Sequence, residues 1–311
     1  MNNRKVLITG INGFLGHNVH KEFKETEHDL LVPKSKQLNL LDENKTKKYL
    51  QKFRPDVVVH LAGSVGGIGA NKVNPGKFFY ENMKMGMNLI HLSKECGVKH
   101  FVMTGTICSY PGDTPVPFKE KDLWNGYPEP TNAPYGIAKK ALLVMLQSYK
   151  QQYDFNFINL LPVNMAGEYD HFDLENSHVI PAMIRKIQNA IDSNEDHIIL
   201  WGDGSPTREF IDARDVSRAI RMVVDNEICH NEPINIGSGK EISIKGLADR
   251  IAHLMDYKGE IHWDVSKSNG QMRRCLDITK AKEIIGFEPS ISLEETLKTT
   301  IRYWNKIKDN H

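Results

Sequence analysis

Apolar runs and amphipathic stretches alternate through the first half of the chain. Lys5–Thr9 (KVLIT) is β-branched, apolar and followed by glycine, and it predicts a buried parallel strand. Phe14 to about Glu27 predicts a helix, Leu30–Pro33 a short second strand, and Asp42–Phe53 a polar helix. Asp56–Leu61 (DVVVHL) predicts a third strand. Pro75–Cys96 predicts a long helix with Gly97 as its C-cap, and His100–Thr104 a fourth strand. Pro134 suits the first turn of a further helix, and Phe155–Leu161 is a fifth strand stopped by Pro162.

Strands that alternate with helices predict an α/β fold built on a doubly wound parallel sheet of the Rossmann type. After about residue 163 the pattern changes. Short strand patterns (Ile198–Trp201, Ile234–Ile236, Ile261–Trp263) alternate with helices of uneven length and longer loops. Residues 1–163 are therefore expected to form a nucleotide-binding domain. Residues 164–311 are expected to form a smaller α/β substrate-binding lobe, from which a segment returns to the main sheet.

Two stretches within this frame carry chemistry. Gly10, Gly13 and Gly16 follow a strand and open a helix. Such a turn brings backbone close to a dinucleotide's pyrophosphate, and the helix N-terminus offers it N–H groups. The segment after the second strand, Val32–Gln37 (VPKSKQ), has no carboxylate to accept the ribose 2′-hydroxyl, and it has Lys34 and Lys36. That favours NADP(H) over NAD. Asp42 either bonds the adenine amine or caps the following helix. The expected cofactor contacts are Gly10, Asn12, Gly13, Phe14, Leu15 and Gly16; Lys34, Lys36 and Asp42; Leu61, Ala62 and Gly63 after the third strand; and Leu161 and Pro162 at the fifth.

Tyr135 and Lys139 are i and i+4 on a predicted helix and share a face. Hydride delivered to a ketone leaves an alkoxide that needs a proton, and a tyrosine can supply it. An ammonium ~5 Å away at an effective dielectric of ~20 stabilises the phenolate by ~3 kcal/mol, which predicts a phenol acidified by about two pKa units. Both residues also count as cofactor contacts. Thr106, just past the fourth strand, is a candidate to polarise the ketone; the alternative is a threonine that satisfies local backbone.

Composition narrows the partners. The 40 Lys+Arg balance 39 Asp+Glu across 311 residues, which gives no global reason to expect nucleic acid or a membrane surface. The opening MNNRKVLITG is too short and polar before its strand for a signal peptide, and no apolar run reaches the ~18 residues of a membrane span. Cys96, Cys108, Cys229 and Cys275 form no C-x-x-C pair, so neither a zinc site nor a disulfide framework is expected. The expectation is a reduced, cytoplasmic protein.

Several segments together resemble the extended short-chain dehydrogenase/reductases over essentially the whole chain. They are Val65–Lys72 (VGGIGANK), Tyr80–Met83, Cys108–Pro111, Glu129–Lys140 (EPTNAPYGIAKK), Asn176–Ala182 (NSHVIPA) and Trp201–Ile211 (WGDGSPTREFI). The last three are the most specific and are shared with few other sugar-nucleotide enzymes. The resemblance implies a homodimer, NADPH and a GDP-linked 4-keto-deoxy sugar. It also implies two chemistries in one pocket: reduction at C4, and inversion at C3 and C5 by a cysteine and a histidine, which fall on Cys108 and His178. His178 also joins the cofactor contacts. The same matching gives Asn164 a place against cofactor and substrate near the nicotinamide, sets Trp201 and Arg208 in the sugar-nucleotide pocket, and turns Lys186 and Arg274 toward the diphosphate.

Each of these has a plainer alternative. Cys108 would be a packed thiol, His178 a helix start, Arg208 an ion pair with Glu209, and Trp201 core. The chain also departs from its relatives. Thr106 replaces a usual serine, Ile107 and Ser109 are unusual around Cys108, Asn12 replaces a frequent arginine, and Met165–Tyr169 (MAGEY) replaces a Leu-Tyr-Gly-Pro run. Those departures fit either the epimerase-reductase or a GDP-4-keto-heptose reductase without epimerase activity. A 4,6-dehydratase would carry a carboxylate where Ile107 stands. A C4 epimerase would keep its cofactor bound. A non-catalytic dinucleotide sensor would have no need of Tyr135 and Lys139 together.

Overall fold

The structure, a computed structural model, describes residues 3–66, 68–173 and 177–310. Gly67 and Asn176, which stand in two of the motif segments above, lie outside the described residues.

The apolar runs pair as one parallel sheet. β1 (Lys5–Thr9), β2 (Asp29–Leu31), β3 (Val57–His60), β4 (His100–Thr104) and β5 (Phe157–Pro162) are joined by a late strand, β9 (Ile234–Ile236), in the order β2-β1-β3-β4-β5-β9. β3, β4 and β5 are buried along their whole length, as expected where helices cover both faces. The intervening helices are α1 (Phe14–Phe23), α2 (Glu43–Phe53), α3 (Ile68–Val73), α4 (Pro75–Glu95) and α5 (Ala133–Tyr153).

The second half of the chain adds β6 (Asn164–Ala166), α6 (Val179–Asp192), β7 (His197–Trp201), β8 (Thr207–Asp212) and α7 (Ala213–Asp225) before β9. After it come β10 (Glu241–Ser243), α8 (Ile244–Leu254), β11 (Glu260–Asp264), β12 (Arg273–Arg274) and α9 (Leu293–Ile307). α7 buries Val216, Ala219, Ile220 and Val223, spaced i, i+3, i+4 and i+7, and packs on α1. It is thereby part of the main core, and β9 pairs with β5 (Leu160↔Ile234 to Pro162↔Ile236). A second apolar cluster, which includes Phe172, Ile184, Ile187, Leu247, Ile251, Leu297 and Trp304, holds α6, α8 and α9 together. β8 is the hub of the smaller sheet and pairs with β6, β10 and β12, while β7 pairs with β11.

Several element ends differ from the sequence expectation, for local reasons. α1 stops at Phe23 rather than near Glu27, because Thr26 turns back to bond the Phe23 carbonyl through both N–H and Oγ1. Pro162 is the last residue of β5, not a stop before it; the next N–H, that of Val163, reaches Ile236 at 2.9 Å. α3 was not expected from the pattern at all.

Candidate active site

The strand order reverses between β1 and β3, which is where doubly wound sheets bind ligands at their carboxyl edge. Gly10 leaves β1 there with φ +75°, and a Cβ added to it would lie 2.6 Å from the Ala62 nitrogen, just past β3. At Gly16 an added Cβ would lie 2.1 Å from the Gly10 carbonyl. Those two positions are therefore closed to side chains. Gly13 precedes α1 with no side-chain cap, and the first turn carries no acidic residue. The N–H groups of Phe14, Leu15 and Gly16 thus have no helical acceptor, while the Phe14 and Leu15 side chains are buried beneath them. Asn12 is exposed on the turn.

Other predicted contacts line the same edge. Leu7 is in register with Leu31, so the exposed Lys34 and Lys36 leave the sheet beside Gly10. Leu61, Ala62 and Gly63 follow β3, and Ala62 donates to Thr9 Oγ1 at 3.4 Å. Leu161 and Pro162 end β5 and are buried. Of the two roles open to Asp42, the structure supplies the cap. Its Oδ1 accepts the Lys45 N–H at 3.0 Å and its Oδ2 lies 3.5 Å from Lys45 Nζ. The residues present fit a dinucleotide: a cradle that any Cβ would fill, an uncapped helix end and a lysine pair.

Further along that edge, α5 is packed on the short turn that follows β4. An added Cβ at Gly136 would sit 2.2 Å from the Cys108 carbonyl, and Ser109 Oγ donates to the Gly136 carbonyl at 3.0 Å. This contact sets Tyr135 beside Thr106 and Cys108. It escaped the sequence reading, although the glycine stands next to the tyrosine. A Gly136→Ala variant is expected to cost ~1–3 kcal/mol of stability by overpacking. By misplacing the tyrosine ~1 Å it should lower turnover ~100-fold. Melting temperature and initial rate measured on one preparation check both.

Thr106 is buried, and its Oγ1 accepts the Cys108 N–H at 3.2 Å. The backbone role foreseen as an alternative is thus real, yet the hydroxyl hydrogen stays available to donate. Lys139 is 2% exposed, and its ammonium donates to the Thr104 carbonyl at 3.0 Å. It lies 5.9 Å from the centre of the Tyr135 ring. Burial brings Lys139 down to about 8 from an ordinary 10.5. Close by, burial and then the charge of Lys139 hold His60 down at about 3, so that ring is neutral and leaves the ammonium as the local cation.

The expected acidification of Tyr135 is not met in the free protein. Burial, and secondarily Cys108, raise this phenol above its ordinary value. The physical reason is desolvation: the ammonium points at Thr104 rather than at the phenol, and its field does not offset the loss of water.

The remaining predicted residues lie on the turn after β4 and in the second half of the chain. Cys108 is half-buried, with its Sγ 3.9 Å from Arg274 Nη1. Arg274 Nε donates to Gln271 Oε1 at 2.7 Å, and Gln271 reaches back to the Gly112 carbonyl at 2.9 Å. Arg274 is in register with Arg208 on the neighbouring strand. Burial, and next the charge of Arg274, bring Arg208 down to about 10. The ion pair considered for Arg208 and Glu209 is not formed. Glu209 is fully buried and accepts N–H groups from Ser238, Gly239 and Leu276 instead. Among the described residues no carboxylate bridges Arg208 and Arg274, an arrangement open to an anion such as a diphosphate.

Asn164 Nδ2 donates to the Glu209 carbonyl at 2.9 Å. Trp201 is not core: it is 70% exposed at the end of β7, near Lys267. Asn269 accepts the Asp203 N–H, and Gly270 sits against Arg208, so the loop before β12 touches both the turn after β7 and Arg208. Lys186 lies two turns into α6 and donates to the Ile199 carbonyl at 3.0 Å. His178 is the N-cap residue of α6, and its Nδ1 meets Asp170 Oδ1 at 3.0 Å. Asp170 was not singled out from the sequence.

The chain belongs to the NAD dependent epimerase/dehydratase family, whose profile matches residues 6–237. More particularly, it is similar along its whole length to sugar-nucleotide synthases. It is 34% identical to the GDP-L-colitose synthase of Yersinia pseudotuberculosis over 307 residues, which cover 98% of this chain and 99% of the relative. It is also 34% identical to the GDP-L-fucose synthase of Escherichia coli (strain K12), with 99% of both chains covered. Among solved structures, a GDP-mannoheptose C4 reductase from Campylobacter jejuni with NADP bound superposes with a TM-score of 0.88 at 27% identity, covering 98% of this chain and 99% of that one.

Proposed function

We propose that the protein reduces the C4 ketone of a GDP-linked 4-keto-deoxy sugar with NADPH, after inverting C3 and C5. The observation that carries this reading is the grouping of Tyr135, Lys139, Thr106 and Cys108 on one helix and one turn, at the sheet edge where Gly10 and Gly16 leave room for a pyrophosphate. Gly10, Gly13 and Gly16 would hold NADPH along that edge, with Lys34 and Lys36 for its 2′-phosphate, and the bound cofactor would supply the hydride.

The chain's own residues do the rest. Thr106 donates its free hydroxyl hydrogen to the ketone oxygen. Tyr135, whose burial keeps it protonated at neutral pH, gives its proton to the alkoxide, and the Lys139 ammonium stabilises the phenolate that remains. Cys108 takes a proton from carbon next to the ketone, and His178 returns one on the other face. Asn164 orients the sugar. Arg208, Arg274 and Lys186 hold the diphosphate, and Trp201 offers an exposed ring to the nucleoside. Relatives and solved neighbours that act on GDP-sugars support this substrate class.

The same reading includes a homodimer. α4 and α5 pack side by side and expose Tyr80, Met87 and Val144, an apolar face suited to a second copy. Free cysteines fit the reducing cytoplasm, and no helix among the described residues is long and apolar enough to cross a membrane.

The test is a panel of GDP-4-keto-6-deoxyhexoses and GDP-4-keto-heptoses with NADPH in heavy water, with products read by NMR. Expected is NADPH consumption together with deuterium at C3 and C5. No consumption with any member overturns the reading, and consumption without deuterium reduces it to the heptose-type reductase. In a Cys108→Ser variant, deuterium incorporation should fall ~100-fold or more. Reduction of a ketone that already has the product's C3 and C5 configuration should persist.

A further inference from the structure

Two observations set Asp170 apart from an ordinary buried carboxylate. Its side chain is fully buried, and Oδ1 accepts both the His178 ring at 3.0 Å and the His171 N–H at 2.8 Å. Among the described residues its second oxygen, Oδ2, is buried with no hydrogen-bond partner. An ionised carboxylate so placed is costly unless a cation faces it. Other charged groups stand on the same loop and helix: Glu168, His171 and Asp173 on the loop, Arg185 and Lys186 on α6. Arg185 is turned to the Phe172 carbonyl and Lys186 to the Ile199 carbonyl. Among the described residues His178 is the ionisable side chain that meets Asp170.

The backbone that delivers Asp170 is strained. Tyr169 has φ +73°, a conformation costly for a bulky residue, and Gly167 has φ +144°. The surroundings hold it there. The Tyr169 ring stacks on His17 of α1 at 4.8 Å and contacts Tyr303 of α9 at 5.1 Å. Asn18 of α1 donates to the Glu168 carbonyl at 3.1 Å. Strain kept by contacts from two helices is the pattern of a placed functional group.

We propose that Asp170 is a positioning residue, which holds the His178 imidazole by Nδ1 and leaves Nε2 as the nitrogen that delivers a proton to the sugar. The proposal rests on the reading of His178 as the acid of the epimerisation. In the step, the Nε2–H bond breaks and a C–H bond forms at C3 or C5. The electron pair comes from the enolate double bond, whose oxygen returns to a ketone at C4. The imidazole is left neutral with its Nδ1–H still donated to Asp170.

The proton affinity of His178 agrees with this geometry. Partial desolvation and the positive end of α6 both disfavour an imidazolium at an N-cap. The ring is half exposed, and its partial loss of water is the largest single influence, yet the hydrogen bond and the charge of Asp170 together outweigh it, and the ring is raised above its ordinary value.

Three measurements on the full chain test the proposal. In the wild-type protein, long-range nitrogen–proton NMR above the His178 titration should find the neutral ring protonated on Nδ1; protonation on Nε2 overturns it. In Asp170→Asn, the His178 titration midpoint should fall. Deuterium incorporation at C3 and C5 should drop at least tenfold, with its alkaline limb moved to lower pH, while reduction of a pre-epimerised ketone keeps the wild-type rate. Asp170→Glu should restore part of the exchange. An unchanged midpoint and an unchanged pH profile in Asp170→Asn overturn the proposal. If the wild type exchanges no deuterium, the epimerase reading fails, and the NMR tautomer and midpoint still decide the role of Asp170 toward His178.

Discussion

Replacing Tyr135 by phenylalanine is expected to lower ketone reduction by ~10²–10⁴-fold while NADPH binding changes by no more than about threefold. The ring itself is retained, so its packing on α5 and against the turn at Cys108 survives. Only the hydroxyl is removed, and with it the proton for the alkoxide. Burial keeps the phenol protonated in the free protein, so it enters each turnover with a proton to give. The cost falls on the phenolate left behind, which the nearby ammonium of Lys139 reduces. Steady-state rates and a fluorescence titration of NADPH check the two halves. An unchanged rate would assign the proton to Thr106 or to water.

Lys139→Met should abolish reduction and, unusually for a core substitution, stabilise the free protein. The ammonium is 2% exposed, and the hydrogen bond found for it goes to the Thr104 carbonyl. Its fall from 10.5 to about 8 means that the folded state binds this proton less tightly than the unfolded chain does. A tenfold change in proton affinity is worth ~1.4 kcal/mol, so burial of the charge costs about 3 kcal/mol at neutral pH. That cost is present in full below pH about 8 and fades as pH rises from about 8 to 10.5. Methionine fills a similar volume without the charge. The variant should melt a few degrees higher than wild type at pH 7, with the difference shrinking above pH 8. A lower melting temperature at both pH values would mean that the ammonium is stabilising and that its burial is offset by other contacts. The stability given up at this position is the kind of cost that active sites carry for function.

The parallel sheet was legible because buried parallel strands read as unbroken apolar runs. Val57–His60 and His100–Thr104 lie inside their predicted spans or match them. Shorter elements were less so. β2 has three residues and a half-exposed pattern, and its end was misplaced by two residues. The return of β9 to the main sheet was foreseen only as a general expectation, since Ile234–Ile236 looks the same in either lobe.

In the site, the glycine turn and the Tyr135/Lys139 spacing are local patterns and were read directly. The acidity of Tyr135 was misjudged because spacing gives the distance to the ammonium but not the loss of water. Trp201 and Arg208 had alternatives that only tertiary contacts could remove: β7 exposes the tryptophan, and Glu209 turns away to three backbone amides. Asp170 was missed because its partner is eight residues away across a loop of no regular period. An acidic residue shortly before the candidate His178 was the available signal.

In the proposed reaction hydride passes from NADPH to the sugar's C4 while Tyr135 protonates its oxygen. The most direct measurement uses NADPH deuterated at the transferring position of the nicotinamide, with a GDP-4-keto sugar and the wild-type protein, and locates the label by NMR. The expected result is one deuterium on C4 of the product sugar and unlabelled NADP⁺. Label retained on the cofactor while the sugar is consumed would contradict it.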